Sequence, residues 1–394
     1  MAPSPKSDPP SDPPIINSRD HGVFDVTDYG ATRNSETESS SAFLEAWDEA
    51  CNHDDNETTF YVPEGRFLLG PITFNGPCRA KSAIKIELVG DLVALAGLEE
   101  FPTSEWIDFR QLNGIIIYGQ TTIDGQGEGE AWKQKSCKKS AQCDRLITSL
   151  KLSDVSNAVV RDITLSNGKA FHVTIHGSRN ITIHNVHITS PWDSPNTDGI
   201  HISHSSFVDI SNSSIGVGDD CVSVGPGSFN ISVSHLHCGP GHGISIGSLG
   251  RYKNEEDVRG IRVENCTLNG TSNGVRVKTW PTSPPSQARD MVFQNIAMNN
   301  VSNPIIIDQE YCPSHSCNMK SPSMVKLSDI AFKNISGTYN TEFEVTMWCS
   351  SAVPCENISL ANVNLSGLVQ CNNQQGRFSL TGGIRGLEVL SSSF

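Results

Sequence analysis

The chain has 394 residues, 37% hydrophobic but only 7% aromatic, with a net charge of −14. That is enough apolar material for a large core filled by aliphatic rather than ring side chains. The acidic balance argues against nucleic acid or an anionic membrane as a partner, and no run approaches the roughly 18 apolar residues of a membrane span.

Residues 1–22 are rich in Pro, Ser and Asp, lack periodicity and read as a disordered tail. Met1-Ala2-Pro3-Ser4-Pro5 carries no apolar stretch of signal-peptide type, so the chain is expected to be a mature or truncated form. A single folded unit, 23–394, is expected to begin near Val23-Phe24-Asp25-Val26. Ala42 to Cys51 places Phe43, Trp47, Ala50 and Cys51 at helical spacing, with Ser41 as N-cap. One amphipathic helix ahead of a long β region suits a lid over the open end of a solenoid.

From about residue 110 the chain becomes short alternating strands separated by Gly, Asn, Ser and Asp turns. Two strand types recur. One includes Val173-Thr174-Ile175, Ile200-His201-Ile202, Val222-Ser223-Val224, Ile244-Ser245-Ile246, Val275-Arg276-Val277 and Ile305-Ile306-Ile307. The other includes Ile181-Thr182-Ile183, Val208-Asp209-Ile210, Ile231-Ser232-Val233, Ile261-Arg262-Val263 and Ile358-Ser359-Leu360. They alternate with a period of about 22 to 31 residues, which means stacked repeats. The predicted fold is all-β, a parallel β-helix in which each coil adds one rung to each sheet. A sandwich or barrel would not require equivalent strands to recur once per period.

Of the 12 cysteines, Cys51/Cys78, Cys137/Cys143, Cys221/Cys238, Cys312/Cys317 and Cys349/Cys355 look like loop-closing pairs of an oxidising compartment. Asn-x-Ser/Thr sequons at Asn56, Asn180, Asn212, Asn230, Asn265, Asn269, Asn300, Asn334, Asn357 and Asn364 point to a secreted glycoprotein. Asn also suits solenoid turns.

Four segments align in register: Asp198-Gly-Ile-His-Ile-Ser, Asp220-Cys-Val-Ser-Val-Gly, His242-Gly-Ile-Ser-Ile-Gly and Asn273-Gly-Val-Arg-Val-Lys. The first three start 22 residues apart, so their leading residues fall on successive coils about 4.8 Å apart. Strand parity sends Arg276 and Lys278 to the outer face, and Asp219 with them. Asp198, Asp220 and His242 sit where a turn can override alternation. Taken singly, each is an ordinary turn or solvated strand residue. Together they make one patch of carboxylates, an imidazole and two cations.

Glycoside hydrolysis on an acidic sugar fits that patch. Two carboxyl groups in different environments divide the work of protonating a leaving oxygen and activating water, about 6.5–9.5 Å apart in an inverting enzyme. Crowding of Asp198, Asp219 and Asp220 is expected to keep one proton on the cluster at mildly acid pH. Arg276 and Lys278 offer donors for a substrate carboxylate.

Asn196-Thr197-Asp198, Gly218-Asp219-Asp220, Gly239-Pro240-Gly241-His242-Gly243 and Arg276-Val277-Lys278 resemble the four ordered signatures of polygalacturonases, glycoside hydrolase family 28. The resemblance runs over nearly all of residues 23 to 390. It implies a right-handed parallel β-helix and metal-free, inverting hydrolysis of α-1,4 bonds in polygalacturonate. By motif, it implies Asp219 as general acid, Asp198 with Asp220 holding the attacking water, and His242 supporting the acid. Arg276, Lys278 and Asn196 would bind substrate, and Tyr311 of Asp308-Gln309-Glu310-Tyr311 resembles the family's substrate-contacting tyrosine.

The wording around the motifs is similar to plant, especially pollen, exo-acting members: Ser194-Pro195, Ser245-Ile246-Gly247-Ser248-Leu249-Gly250 and Asn254-Glu255-Glu256. A secreted, monomeric, exo-acting enzyme of the cell wall is expected, with no cofactor. The alternatives are endo cutting, a calcium-dependent lyase and a non-catalytic pectin-binding solenoid. Gly125-x-Gly127-x-Gly129 reads as a solenoid turn rather than a phosphate loop. His201 with His204, and His235 with His237, read as histidines on a solvated strand face.

Overall fold

A computed structural model describes residues 22–54, 57–129, 131–132, 146–313 and 317–367, with the backbone alone of Phe378–Thr381, Ile384–Arg385 and Glu388–Leu390. Residues 1–21 of the expected tail 1–22, the Cys137/Cys143 pair and the Asn56 sequon lie outside the described residues. Gly22 belongs to the fold, its carbonyl accepting from Thr59 N at 2.8 Å.

Alternation of aliphatic residues along the chain produces strands that pair only in parallel, coil on coil, into an 11-stranded sheet and a 23-stranded sheet. The 11-stranded sheet runs Ile72–Asn75, Glu105–Arg110, Thr148–Ser153, Val173–His176, Ile200–Ser203, Val222–Val224, Ile244–Leu249, Asn273–Thr279, Asn303–Asp308, Val345–Trp348 and Phe378–Thr381. It is the first strand type of the sequence, in the expected register: Ile200 faces Val222, Val222 faces Ile244, and Ile244 faces Val275. The fold is a right-handed parallel β-helix.

Three expectations need correction. The helix begins earlier than predicted: it spans Ser40–Asn52 with Ser39 at the N-cap, so Ser41 lies inside its first turn. The solenoid also begins well before residue 110. Thr59–Val62, Arg66–Leu69, Ile72–Asn75 and Ile84–Leu88 are already rungs, as their parallel partners show. These early strands carry Phe where later ones carry Ile or Val, which hides the repeat. Through residue 269 a coil also holds three strands rather than two, because a short strand such as His187–Thr189 or Ser214–Gly216 follows each second-type strand; in later coils the two run together, as in Ser286–Val301 and Val325–Tyr339.

Inward-facing ladders of Ile175, Ile202, Val224, Ile246, Val277 and Ile307 are almost completely buried. Each stacks on its neighbour one rung away, so the core is a column rather than a ball. At its N-terminal end the rings of Phe60, Phe74 and Phe109 pack with Trp47 of the helix, the Trp47–Phe74 centroids 5.1 Å apart. The helix thereby covers apolar edges that the first coil would otherwise expose.

Four expected disulfides form: Cys51–Cys78, Cys221–Cys238, Cys312–Cys317 and Cys349–Cys355. Cys266 is a buried free thiol whose pKa burial pushes up to about 11. Several sequon asparagines are rungs of surface ladders at turns with positive φ. Asn180 Nδ2 donates to Asn157 Oδ1 at 2.6 Å and Asn334 Nδ2 to Asn295 Oδ1 at 2.9 Å.

Candidate active site

The outward-facing column of the 11-stranded sheet reads Thr174, His201, Ser223, Ser245 and Arg276 on successive strands. The turns leading into these strands carry Asp198, Asp219–Asp220 and His242. Backbone bonds lock the turns in register: Gly199 N donates to Asp220 O at 2.9 Å, and His242 N to Asp219 O at 2.7 Å. The three groups spaced 22 residues apart therefore lie on consecutive coils, as the repeat predicts.

Parity fails at the turn, where it was expected to be weak. Strict alternation would point Cys221 outward and Asp220 inward. Instead Cys221 is fully buried in its disulfide with Cys238, and Asp220 swings to the outer face. Its Oδ1 accepts from Ser245 Oγ at 2.8 Å and Arg276 Nη2 at 2.8 Å, and its Oδ2 from Lys278 Nζ at 2.6 Å. Arg276 and Lys278 are outward by parity but not solvated. Both are largely buried against Asp220, whose side chain is 1% exposed. Burial alone would raise the Asp220 pKa; Lys278 and Arg276 outweigh it and hold the carboxyl at about 2.

Asp198 has a different environment. It is buried, and Ser223 Oγ donates to its Oδ2 at 2.8 Å. No cation bonds it. Burial, then the charges of Asp219 and Asp220, push its carboxyl well above the usual range, with Lys278 pulling the other way. The buried carboxyl thus favours its neutral form, and a proton held there is shared with the neighbouring charges rather than owned by one residue.

Asp219 is the accessible carboxyl of the three. Its side chain is 24% exposed, beside His242 at 41%. His242 Nδ1 lies 2.9 Å from Asp219 Oδ1, which also accepts the Asp220 backbone N–H at 2.8 Å. Asp219, Asp220 and His242 bring one ligand atom each within 4.8 Å of one another, a spacing a cation could bridge. Both Asp220 oxygens are already taken by Lys278, Arg276 and Ser245, so the donor set is poor for a metal. The same spacing is narrower than the separation expected for two carboxyls flanking a water.

Tyr311 joins the site. Its ring centroid is 5.2 Å from Lys278 Nζ and 5.8 Å from Arg276 Cζ. Asn196 holds the left-handed φ of 55° in the turn before Asp198. Beside it Thr197 Oγ1 accepts from Gly218 N at 3.0 Å, tying the first two motifs together.

Four contributors escaped the sequence reading: Ser223, Ser245, His201 and His172. His201 is not on a solvated face. Burial, then Lys278, lower its pKa to about 4, so it is a neutral imidazole above that pH. Its Nδ1 lies 2.8 Å from Ser223 Oγ, and because that hydroxyl's one proton goes to Asp198, the imidazole is the donor. His172, fully buried where His201 is half-buried, holds the Asp198 backbone, with its Nδ1 3.0 Å from Asp198 O. The signal available in the sequence was register: the middle residues of the aligned segments share one column with Arg276.

The site gathers three carboxyls in unlike environments, Asp220 held low by two cations, Asp198 pushed high by burial and Asp219 the most accessible, a division that acid–base hydrolysis of a glycosidic bond can use. Comparison with known proteins defines it further. The model of the glycosyl hydrolases family 28 matches residues 51–380, and the chain belongs to that family. It is 45% identical to an exopolygalacturonase of Platanus acerifolia over 344 residues, 87% of this chain and 90% of that one. It is 47% identical to an exopolygalacturonase of Oenothera organensis over 330 residues, 84% of this chain and 90% of that one. The solved structure of an exopolygalacturonase from Thermotoga maritima superposes with a TM-score of 0.70 at 18% identity, covering 94% of this chain and 92% of that one.

Proposed function

We propose that this chain is an exo-acting polygalacturonase that releases galacturonate from chain ends by inverting hydrolysis of α-1,4 bonds. The observation that carries this reading is the split among three neighbouring aspartates: Asp220 held ionised by two cations, Asp198 driven toward its neutral form, and Asp219 the most accessible, beside His242. Relatives named exopolygalacturonase at 45% and 47% identity support the substrate and the exo mode.

In this reading Asp219 delivers the proton of the cluster to the leaving oxygen, with His242 steering it. Asp198 and Asp220 hold the water, and Asp198, ionised once that proton has left, takes up the water's proton. Asp220 is a poor covalent nucleophile because Ser245, Arg276 and Lys278 already occupy its oxygens. That favours water as the attacking group despite the close carboxyls. Arg276 and Lys278 set the charge of Asp220 and keep donors for a galacturonate carboxylate, which Tyr311 and Asn196 help to seat. Residues 23–394 act as one catalytic unit, a secreted, glycosylated monomer of the cell wall, with no cofactor.

A time course on polygalacturonate tests the reading: monogalacturonate alone from the earliest point is expected, in the inverted β anomer by proton NMR. A spread of oligomers overturns the exo mode, and a first-formed α anomer overturns inversion. Loss of activity in chelator, or ultraviolet-absorbing products, would identify a lyase. Silence of both the wild type and Asp219→Asn with binding retained would identify a pectin-binding solenoid.

A further inference from the structure

The far side of the cation pair carries, next to Tyr311, a second group of residues that the catalytic reading leaves unused: Arg251, Tyr252 and Trp280. Arg251 and Tyr252 follow the strand Ile244–Leu249, Trp280 follows Asn273–Thr279, and Tyr311 lies beyond Asn303–Asp308. They leave the C-terminal edge of three successive rungs. Trp280 N donates to Leu249 O at 2.8 Å and Tyr311 N to Thr279 O at 3.2 Å, so the residues are stacked by the backbone.

Their side chains form a continuous strip. Tyr311, over Lys278 and Arg276, meets Trp280 edge to face with centroids 5.5 Å apart. The Arg251 guanidinium lies 5.2 Å from the Trp280 ring and 5.4 Å from the exposed Tyr252 ring. The loop is fixed from below, because Glu255 accepts from Gly250 N at 2.6 Å and Tyr252 N at 2.8 Å.

Two groups on this strip lack a polar partner among the described residues. Arg251 is exposed and has no carboxylate within ion-pair reach, and the buried Trp280 Nε1 has no acceptor. An arginine fork held over aromatic rings recognises a planar carboxylate, and rings stack on the C–H faces of a pyranose. In a chain of net charge −14, a free cation fixed beside the cleft is the local counter-charge that an acidic sugar requires.

From this we infer that Arg251, Tyr252 and Trp280 form a subsite for a uronate residue of the substrate, beyond the one held at Arg276, Lys278 and Tyr311. The inference rests on the acidic-polysaccharide reading above. It says that affinity is distributed along the chain and that the subsite is filled only by substrates long enough to reach it.

The test is the chain-length dependence of KM for Arg251→Ala and Arg251→Lys, with Arg259→Ala as control. Arg259 is an exposed arginine over the Phe229 ring on the other sheet. Arg251→Ala is expected to raise KM for long oligogalacturonates about tenfold at unchanged kcat, and to leave digalacturonate unaffected. Arg251→Lys should recover part of the loss. An equal KM change at every length, no change at any length, or the same change in Arg259→Ala overturns the subsite. A wild type silent on every oligogalacturonate would refute the hydrolase reading instead. Calorimetry with tetragalacturonate then decides the subsite alone: weaker binding to Arg251→Ala than to wild type supports it, and equal binding ends it.

Discussion

Asp198 and Asp220 begin as copies of one another. Each follows a turn, opens a strand of the same sheet, is buried, and accepts from a serine one coil further on, Ser223 or Ser245. Their carboxyls are nevertheless driven in opposite directions. The difference lies two coils on. There the outward column offers Arg276 to Asp220 but only Ser245 to Asp198, and Lys278 bonds Asp220 alone. A repeat supplies equal geometry; the identity of one rung decides which carboxyl carries charge.

The largest break in that comparison is expected from Asp220→Asn. It removes a carboxylate proposed to hold the attacking water and leaves Lys278 and Arg276 buried without their anion. Activity on polygalacturonate should fall by about 10²–10⁴-fold, and stability by about 3–5 kcal/mol, read as reducing ends released and as the urea midpoint. Retained activity or an unchanged midpoint would refute the role given to the cation pair.

Asp198→Asn should match it in activity and oppose it in stability. The folded pKa of Asp198 is raised, so its contribution to stability is present below its unfolded value and lost as pH rises through its folded one. The wild-type urea midpoint should therefore decline relative to Asp198→Asn as pH rises through and above the ordinary carboxylate range. Asp220 has the opposite sign. Its folded pKa is lowered, so its contribution, of order 2 kcal/mol, is present above pH 3.8 and lost as pH falls toward 2. Parallel pH–stability curves for the two variants would erase the distinction.

How much of this was legible beforehand follows from where the information sits. The coil repeat is written in Ile, Val and Leu alternation and could be read directly, as could the register of Asp198, Asp220 and His242. Aromatic rungs at Phe60, Phe67 and Phe74 obeyed the same alternation without the same residues, so the early coils did not align by eye. The turn at Asp219-Asp220-Cys221 was illegible for a different reason. Which of three consecutive side chains enters the core depends on the Cys221–Cys238 bond, a contact made a coil away. Arg276 and Lys278 were assigned to the right face but not to their partner, because parity gives direction and not who is met there.

The serines sharpen the comparison more finely. Ser223 is the one hydrogen-bond donor to the Asp198 carboxyl among the described residues, whereas Ser245 shares Asp220 with Arg276 and Lys278. Ser223→Ala should lower kcat about tenfold with KM unchanged, matching a lost bond to a buried polar group. Ser245→Ala should lower it only about two- to threefold. Equal losses would mean that the cations do not substitute for the serine.

The smallest effect is expected one contact further out. His201 donates to Ser223 and stacks on Phe171, with ring centroids 5.2 Å apart at 29°. His201→Phe keeps the ring and removes the donor, freeing the Ser223 hydroxyl to rotate away from Asp198; kcat should fall about two- to threefold. The form of the pH profile separates orientation from proton transfer. Burial, then Lys278, set the His201 pKa at about 4, so the imidazole stays neutral between pH 5 and 7 and its charge cannot vary there. The ratio of wild-type to His201→Phe kcat should thus be constant across that window. A ratio that changes with pH would make His201 a titrating member of the machinery and extend the proton-sharing group from three aspartates to a fourth residue.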